Sequence, residues 1–260
     1  MNDQKDLSIT QDNAIIESSL SMTLNERRLL LLLVSKVNPR EPIKKPDPEN
    51  PEFITLTVKD WISVYGNDGN DAYKLFKQAA DKIYGKYYTL PDHHYHPNGE
   101  RDIPLFGERI RYGIADEATV KFELHYKFHK RLANLLEQFT KYPLLAVTKF
   151  KSVYTIRLYE LLIQFQSVGS RTLTTQNLRF ALGIDPSKYK DTNNFHRKVL
   201  FKAIDELNEK SDLDVAVDQI KEKRVITQYR FRFDTKKKPQ RKEEQLSLPD
   251  LDLDIPTFGK

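Results

Sequence analysis

The sequence predicts an α+β fold, mainly helical, in which one unit of helices and strands occurs twice. Two short triplets suggest the repeat, Thr55-Leu56-Thr57 and Thr172-Leu173-Thr174. Each triplet precedes a helical pattern, and a glycine follows nine residues after its last threonine, at Gly66 and Gly183. Each unit then continues with a further amphipathic helix and with alternating strands. We therefore expect two similar units in tandem.

The first unit opens on a capping box, with Thr23 as N-cap and Glu26 three residues later. A leucine-rich helix follows, and a proline-rich loop separates it from the first triplet. The expected elements are helix 25–37, strand 53–57, helix 58–65, helix 72–84, hairpin strands within 87–124 and helix 128–139.

The second unit repeats this order. Its expected elements are helix 152–166, strand 172–174, a helix that ends at Gly183, helix 193–210 and two strands, 213–219 and 225–233. Helix, short strand, helix, helix and hairpin is the order of a winged helix. We therefore predict two tandem winged-helix domains, 1–142 and 143–235, followed by a disordered tail, 236–260.

Composition restricts the function. The chain has 260 residues, no cysteine and a net charge of +5. The excess of basic residues is concentrated in 149–235, which suggests a polyanionic partner for the second unit. The absence of cysteine favours a reducing cytoplasm, and no apolar run reaches the roughly 20 residues of a membrane span. No glycine-rich phosphate loop occurs, so we expect no cofactor.

Helix 193–210 is the best candidate for DNA recognition. Its apolar stripe contains Phe195, Val199 and Leu207, and its predicted first turn carries cations where the helix dipole disfavours them. An external polyanion would explain this placement. The residues expected to face DNA are Asn193, Asn194, His196, Arg197, Lys198, Phe201 and Lys202 on the helix, and Lys221, Lys223 and Arg224 in the wing turn.

The equivalent helix start in the first unit, Asp71-Ala72-Tyr73-Lys74, lacks such a cluster. We expect that unit to make protein contacts or weaker contacts to the DNA backbone. Its near-neutral charge and its apolar segment Leu29–Val34 suggest that it carries a dimer interface.

Three segments resemble one known family. These are 13–18 together with 24–29, the segment 150–162, and the helix 195–208. They are similar to the Rep family of replication initiators from iteron-containing bacterial plasmids, whose recognition helix has three arginines after its phenylalanine. Here His196, Arg197 and Lys198 stand at those three positions. The resemblance covers about residues 10 to 235.

The resemblance implies a mechanism without catalysis. Such initiators bind iterons in double-stranded origin DNA as monomers, help to melt an adjacent AT-rich segment and recruit host replication proteins, among them the initiator and the helicase. Dimers formed largely through the first domain repress the initiator's own promoter and limit copy number. The second domain reads the major groove and the first contacts the DNA backbone.

Two alternatives remain open at this point. A plain winged-helix transcriptional repressor would have the same fold, and tandem repeats of about 20 base pairs beside the gene would distinguish the two. A rolling-circle nickase would use a metal held by two histidines, and His93-His94-Tyr95-His96 contains such a pair. However, Pro97-Asn98-Gly99 follows and predicts a turn where a nickase has an apolar strand.

The tail contains a further candidate site. Gln245, Leu246 and Leu248 are similar to the Gln-Leu-Ser-Leu-Phe peptides that bind the bacterial sliding clamp. Pro249 replaces the final phenylalanine, and Leu251 is the possible substitute. A solubilising acidic tail is the alternative interpretation.

Overall fold

The structure is a computed structural model that describes residues 7–236 apart from 43–46, 67–69, 93–98, 115–116, 134 and 136. The helices are α1 Asn13–Glu17, α2 Leu24–Val34, α3 Val58–Tyr65, α4 Asn70–Ile83, α5 Tyr126–His129, α6 Leu145–Thr148, α7 Val153–Ile163, α8 Thr175–Ala181, α9 Thr192–Phe195 and α10 Phe201–Lys210, with a π turn, His196–Leu200, between the last two. The strands are β1 Ser8–Asp12, β2 Phe53–Thr57, β3 Tyr87–Pro91, β4 Glu100–Pro104, β5 Phe106–Ile114, β6 Glu117–Leu124, β7 Phe139–Pro143, β8 Ser170–Thr174, β9 Leu213–Glu222 and β10 Val225–Thr235.

The two units share one sheet topology. The first contains a sheet of order β2-β6-β5, and the second a sheet of order β8-β10-β9. In both, the short strand before the second helix pairs with the last strand, which pairs with the strand before it. The tandem winged-helix prediction is confirmed in these sheets.

Local signals in the triplets explain this agreement. Thr57 and Thr174 are N-caps whose hydroxyls accept from the backbone N–H groups of Asp60 and Asn177. Gly66 and Gly183 both adopt φ of +68°, a conformation that glycine reaches without the clash a Cβ would cause. The same start and stop residues therefore bound the second helix of each unit.

The expected helix 128–139 is wrong. Among the described residues of this segment the only helix is α5, and β7 instead pairs antiparallel with β1, with Ile9 opposite Tyr142. The partner strand lies about 130 residues away in the chain, so local periodicity in 128–139 could not show it. The hairpin of β3 and β4 falls within the expected hairpin region 87–124 and forms its own two-stranded sheet in the first unit.

The segment Leu29–Val34 lies in the core, where each of its side chains is at most 3% exposed. The apolar surface of this segment is already used inside the monomer and gives no support to a dimer interface, which stays a prediction for the first unit. Buried side chains of both units join in one apolar cluster. No helix in the described part of the chain is long and apolar enough to cross a membrane.

A buried group of charged and polar side chains joins the two units. We call Gln11, Arg27, Tyr142, Arg157 and Glu160 the Glu160 cluster, and each is at most 2% exposed. The Glu160 carboxylate accepts from Arg27, from the Tyr142 hydroxyl at 2.6 Å, from Gln11 at 3.1 Å and from Arg157 at 3.0 Å. Gln11, Arg27 and Tyr142 belong to the first unit, whereas α7 carries the other two.

Arg157 extends this contact to the backbone. Its guanidinium donates to the carbonyls of Ile16 and Ser18, both at 2.8 Å, and to that of Ala181 at 3.0 Å. Burial lowers its pKa to about 10, although Glu160 opposes that shift. Gly183 packs nearby, where an added Cβ would lie 2.4 Å from the Leu20 carbonyl oxygen. The two units are therefore held in a fixed relation by polar contacts and by close packing.

Candidate nucleic-acid interface

The recognition helix comprises α9, the π turn and α10, residues 192–210. Asp191 is its N-cap and accepts from the backbone N–H of Asn194 at 2.8 Å. The first turn is therefore Thr192–Phe195 and contains no cation. The expectation that cations occupy the first turn is wrong, since the helix begins at Thr192 and Arg197 and Lys198 fall in its second turn.

Burial along this helix repeats every four residues. The pairs Phe195/His196, Val199/Leu200 and Ala203/Ile204 are buried. The intervening pairs, Arg197/Lys198 and Phe201/Lys202, are exposed. At about 100° per residue the buried pairs fall within one half of the helix circumference and the exposed pairs within the other half, as in an amphipathic helix. Within this helix, residues 196–200 form a π turn, whose hydrogen bonds span five residues.

The position of His196 contradicts its assignment to the DNA-facing surface. Its side chain is buried, and its Nε2 shares a hydrogen bond of 2.6 Å with the Tyr229 hydroxyl on β10. Burial lowers the pKa of the imidazole, so the ring is neutral at neutral pH. His196 therefore adds neither an exposed group nor a charge to the DNA-facing set, because helical spacing places it in the middle of the buried face.

The remaining basic residues of the helix are exposed and available. Arg197, Lys198 and Lys202 have no carboxylate within 4 Å among the described residues, and Arg197 makes a long contact of 3.4 Å to the Asn194 side chain. Phe201 is 38% exposed beside them. Asn193 is exposed and Asn194 half-buried one turn earlier. Basic, aromatic and amide side chains are thus exposed together on one surface of the recognition helix.

The wing ends in a two-residue turn. Glu222 pairs with Val225, so Lys223 and Arg224 form the loop, with φ of +47° and +76°. Lys221, which we expected in the turn, instead lies in β9 and is exposed there. Positive φ at both positions is typical of a type I′ hairpin, which favours Asn-Gly. Basic residues at the tip therefore cost stability, about 1–2 kcal/mol each.

Arg179 contributes to the position of the recognition helix, and the sequence-based prediction missed it. The Arg179 guanidinium donates to the carbonyls of Lys188 and Tyr189 and lies 5.2 Å from the Phe195 ring centroid. It thereby holds the turn before the recognition helix, in which Lys188 and Lys190 are exposed. The position of Arg179 in α8 gave no signal of this role, but the two lysines directly before residue 193 were visible in the sequence.

The corresponding helix of the first unit, α4, presents a mixed surface. Tyr73, Lys74 and Lys77 are exposed on it, and Asp81 forms ion pairs with Arg111 at 2.6 Å and with Arg109 at 3.7 Å. The cationic pair found on the second recognition helix has no counterpart here among the described residues. The two units therefore present chemically different surfaces.

The fold and this surface define a tandem winged-helix protein with one exposed basic recognition helix. Two family models match the chain, "Initiator Replication protein, WH1" over residues 8–163 and "Initiator Rep protein, WH2" over residues 174–233. The first of them alone spans more than half of the sequence. The chain belongs to the family of initiator replication proteins.

Two individual proteins are similar to it. An uncharacterized 27.6 kDa protein of Escherichia coli is 24% identical over 219 residues, which cover 80% of this chain and 88% of that protein. The crystal structure of Pi initiator protein in complex with iteron DNA matches with a TM-score of 0.72 at 18% identity and covers 90% of this chain and 99% of that chain. At this identity the second likeness shows a shared fold.

Proposed function

We propose that the protein initiates replication by binding tandem repeats in double-stranded origin DNA, with the second unit reading the major groove. The proposal rests on the exposed surface formed by Arg197, Lys198, Phe201 and Lys202. The charges of its three basic residues face solvent without a carboxylate partner in the described part of the chain. The match of both family models to initiator proteins supports it.

Each side chain has a distinct task in this proposal. Arg197 binds guanine O6 and N7 in a bidentate manner, and Lys198 binds a base or a phosphate. Phe201 contacts a thymine methyl group, and Lys202 a phosphate. Asn193 and Asn194 lie close enough to the helix start to contact the backbone or an adenine. Lys221, Lys223 and Arg224 contact phosphate from the wing.

Arg197→Ala is expected to weaken binding to the cognate repeat by about 1–3 kcal/mol and to relax the preference for one base pair. Fluorescence anisotropy on the repeat, on single-base variants and on a scrambled duplex measures both effects. Arg232→Ala is the matched control, because this arginine is exposed in the same unit but pairs with Asp218 at 3.0 Å. Equal affinity of wild type and Arg197→Ala for the repeat would contradict the assignment.

The wing turn offers a variant that separates charge from fold. Lys223→Asn together with Arg224→Gly introduces the dipeptide that a type I′ turn favours, so the free energy of unfolding is expected to stay level or to rise. DNA affinity should fall similarly for all sequences. The slope of log K against log salt should decrease by roughly 0.9 for each phosphate that the variant no longer neutralises. An unchanged slope would show that the wing tip does not contact DNA phosphates.

Finer features of this function are also part of the proposal. We infer that the protein acts in the bacterial cytoplasm by binding rather than by catalysis, that it represses its own promoter, and that it self-associates through the first unit on a surface other than Leu29–Val34. Host replication proteins, including the initiator, the helicase and the sliding clamp, are its inferred partners. The domain limits 142/143 and 235/236 stay predictions.

Two predictions fall on residues outside the described part of the chain. The histidine run His93-His94-Tyr95-His96, on which a nickase would depend, is one of them. The clamp-binding candidates Gln245, Leu246, Leu248 and Leu251 are the other. A repressor that never initiates replication is the alternative to the proposed function, and the presence or absence of tandem repeats beside the gene separates the two.

A further inference from the structure

We propose that a basic cavity in the first unit is the docking site for an acidic and apolar segment of the same chain, Asp250-Leu251-Asp252-Leu253-Asp254. The cavity has a volume of about 400 Å³ and is lined by Tyr88, Arg101, Ile103, Lys127, Lys130 and Arg131. The segment follows the last described residue, Lys236. The inference does not rest on the proposed function, because it concerns a surface other than the two recognition helices.

The floor of the basic cavity is apolar. Tyr88 on β3 and Ile103 on β4 stand opposite each other in the hairpin, and each is at most 5% exposed. The Tyr88 ring packs on Phe128 of α5, with ring centroids 5.7 Å apart. The hairpin and α5 therefore close the bottom of the cavity with side chains that offer an apolar group contact rather than hydrogen bonds.

The rim of the basic cavity carries more positive charge than its neighbours neutralise. Each of its two arginines has a carboxylate partner, Arg131 at 2.7 Å and Arg101 at 3.9 Å. Lys127 and Lys130 are exposed and form no ion pair within the described part of the chain. Like charges around one hollow repel each other, and an anion between them removes this cost. The rim is therefore suited to carboxylates.

The basic cavity lies away from the DNA-facing end of the first unit. The helix α4 ends at Ile83, and β3, which carries Tyr88, begins four residues later. A recognition helix contacts DNA through its N-terminal residues. The N-terminus of α4 is about 20 Å from this end, since the helix has 14 residues. A duplex bound by α4 therefore leaves the cavity free for another anion.

The proposed segment matches the basic cavity in chemistry and in pattern. Three aspartates alternate with two leucines in 250–254, and no cation lies among them. In an extended backbone, successive side chains point to opposite sides. A leucine that points to the apolar floor thus has a carboxylate on either side of it, level with the rim. The long lysine and arginine side chains reach carboxylates there while their stems cover the leucine.

The chain between the two partners is long enough for this contact. Asp250 follows Lys236 by 14 residues. A connection of this length spans up to about 50 Å when it is extended. The diameter of a compact chain of this size is also about 50 Å. The segment therefore reaches the first unit of its own molecule.

The basic surface of the recognition helix suits the same segment less well. Arg197, Lys198 and Lys202 attract carboxylates there, but Phe201 projects from the helix between them. A leucine that meets a projecting ring makes contact on one side, whereas a leucine inside a hollow is surrounded. The basic cavity therefore binds both kinds of side chain in the segment, and the recognition helix binds chiefly the charged kind.

The test places a nitroxide label on the full-length protein at Ser247→Cys. The chain has no cysteine of its own, so the label occupies one position. Since a nitroxide broadens the amide NMR signals of nearby residues, we expect loss of the signals of 101–103 and 127–131 and retention of those of 192–210. A mixture of labelled chains without isotope and isotope-labelled chains without nitroxide should show no loss, because the segment docks on its own molecule.

Charge reversal tests the contact itself. Lys127→Glu together with Lys130→Glu should restore the signals of 101–103, and adding Asp250→Lys and Asp252→Lys should remove them again, because the opposite charges then face each other in reverse. Lys74→Glu with Lys77→Glu is the matched control. It makes the same change of charge on the exposed face of α4 and should leave the loss as in wild type.

Three results would overturn the inference. Loss confined to 192–210 would place the segment on the DNA-binding surface, and unchanged signals throughout would show that it does not dock. Loss in the mixed sample would assign the contact to a second copy of the chain. Binding of wild type to the cognate repeat is measured separately, so its absence would contradict the proposed function and leave the docking result as it stands.

Discussion

Replacing Glu160 by glutamine is expected to lower the free energy of unfolding by about 3–5 kcal/mol. The side chains differ little in size, but the change leaves Arg27 and Arg157 buried without a negative charge between them. An uncompensated buried charge is among the most destabilising changes a core can undergo. Urea denaturation followed by circular dichroism measures the loss, and the melting temperature should fall by roughly 10 °C.

Two control variants test whether the loss comes from the buried charge. Asp218→Asn breaks the exposed pair with Arg232 and should cost less than about 1 kcal/mol. Replacing Arg27, Arg157 and Glu160 together by apolar residues of similar size should recover only part of the stability, since it removes the buried charges but also the donors to the carbonyls of Ile16, Ser18 and Ala181. A stability of Glu160→Gln within about 1 kcal/mol of wild type would mean that the cluster does not depend on its charge.

The pH dependence provides an independent check. Burial alone would raise the pKa of Glu160, but Arg27 and Arg157 outweigh it and lower that pKa below its usual value. A carboxyl group with a lowered folded-state pKa stabilises the protein above the unfolded pKa, about 4.3, and this contribution is lost as the pH falls toward the folded pKa. The difference in stability between wild type and Glu160→Gln should therefore shrink below about pH 4.

Gly183→Ala is expected to destabilise the protein by about 2–5 kcal/mol. Part of the loss comes from φ of +68°, which an alanine adopts at a cost of about 1–2 kcal/mol. The rest comes from the new Cβ, which would lie 2.4 Å from the carbonyl oxygen and 2.8 Å from the carbonyl carbon of Leu20 in the other unit. Backbone atoms cannot move aside as a flexible side chain can.

Gly66→Ala separates the two contributions. Gly66 has the same φ of +68° at the equivalent position of the first unit, and nothing lies within 4 Å of an added Cβ. Its substitution should therefore cost only the conformational part. The difference between the two variants in chemical denaturation measures the close approach of the two units. Equal losses would show that Leu20 and Ser21 relax away from the added atom.

The elements that the sequence predicts well are those determined by neighbours in the chain. Thr57 and Thr174 act on backbone groups three residues away, and Gly66 and Gly183 are selected by their own φ values. Such positions can be recognised from the sequence alone, because they do not depend on the tertiary structure. The exposed placement of Arg197 and Lys198 followed equally from helical spacing in one segment.

The features that escaped prediction depend on distant partners. The strand β7 forms because β1 pairs with it, and Arg157 and Glu160 are buried because Arg27 comes from the other unit. His196 was assigned to the DNA-facing surface together with its basic neighbours Arg197 and Lys198, although the 3.6-residue period places it on the buried face of the helix. That period, visible in the apolar residues between 195 and 207, would have placed His196 in the core, whereas the π turn has no such signal in the sequence.

The fixed relation between the units has a consequence for DNA spacing. A protein whose two helix-turn-helix units cannot rotate against each other presents them at one separation and one angle. B-DNA turns once in about 10–10.5 base pairs, so each base pair inserted between two contacted segments rotates one against the other by about 35°. Where both units touch one duplex, the length of DNA between their contacts is thus specified as strictly as the bases themselves. The Glu160 cluster and Gly183 fix that separation and angle in the protein itself, so on a duplex that both units contact the helical phase of the binding site becomes part of what is recognised.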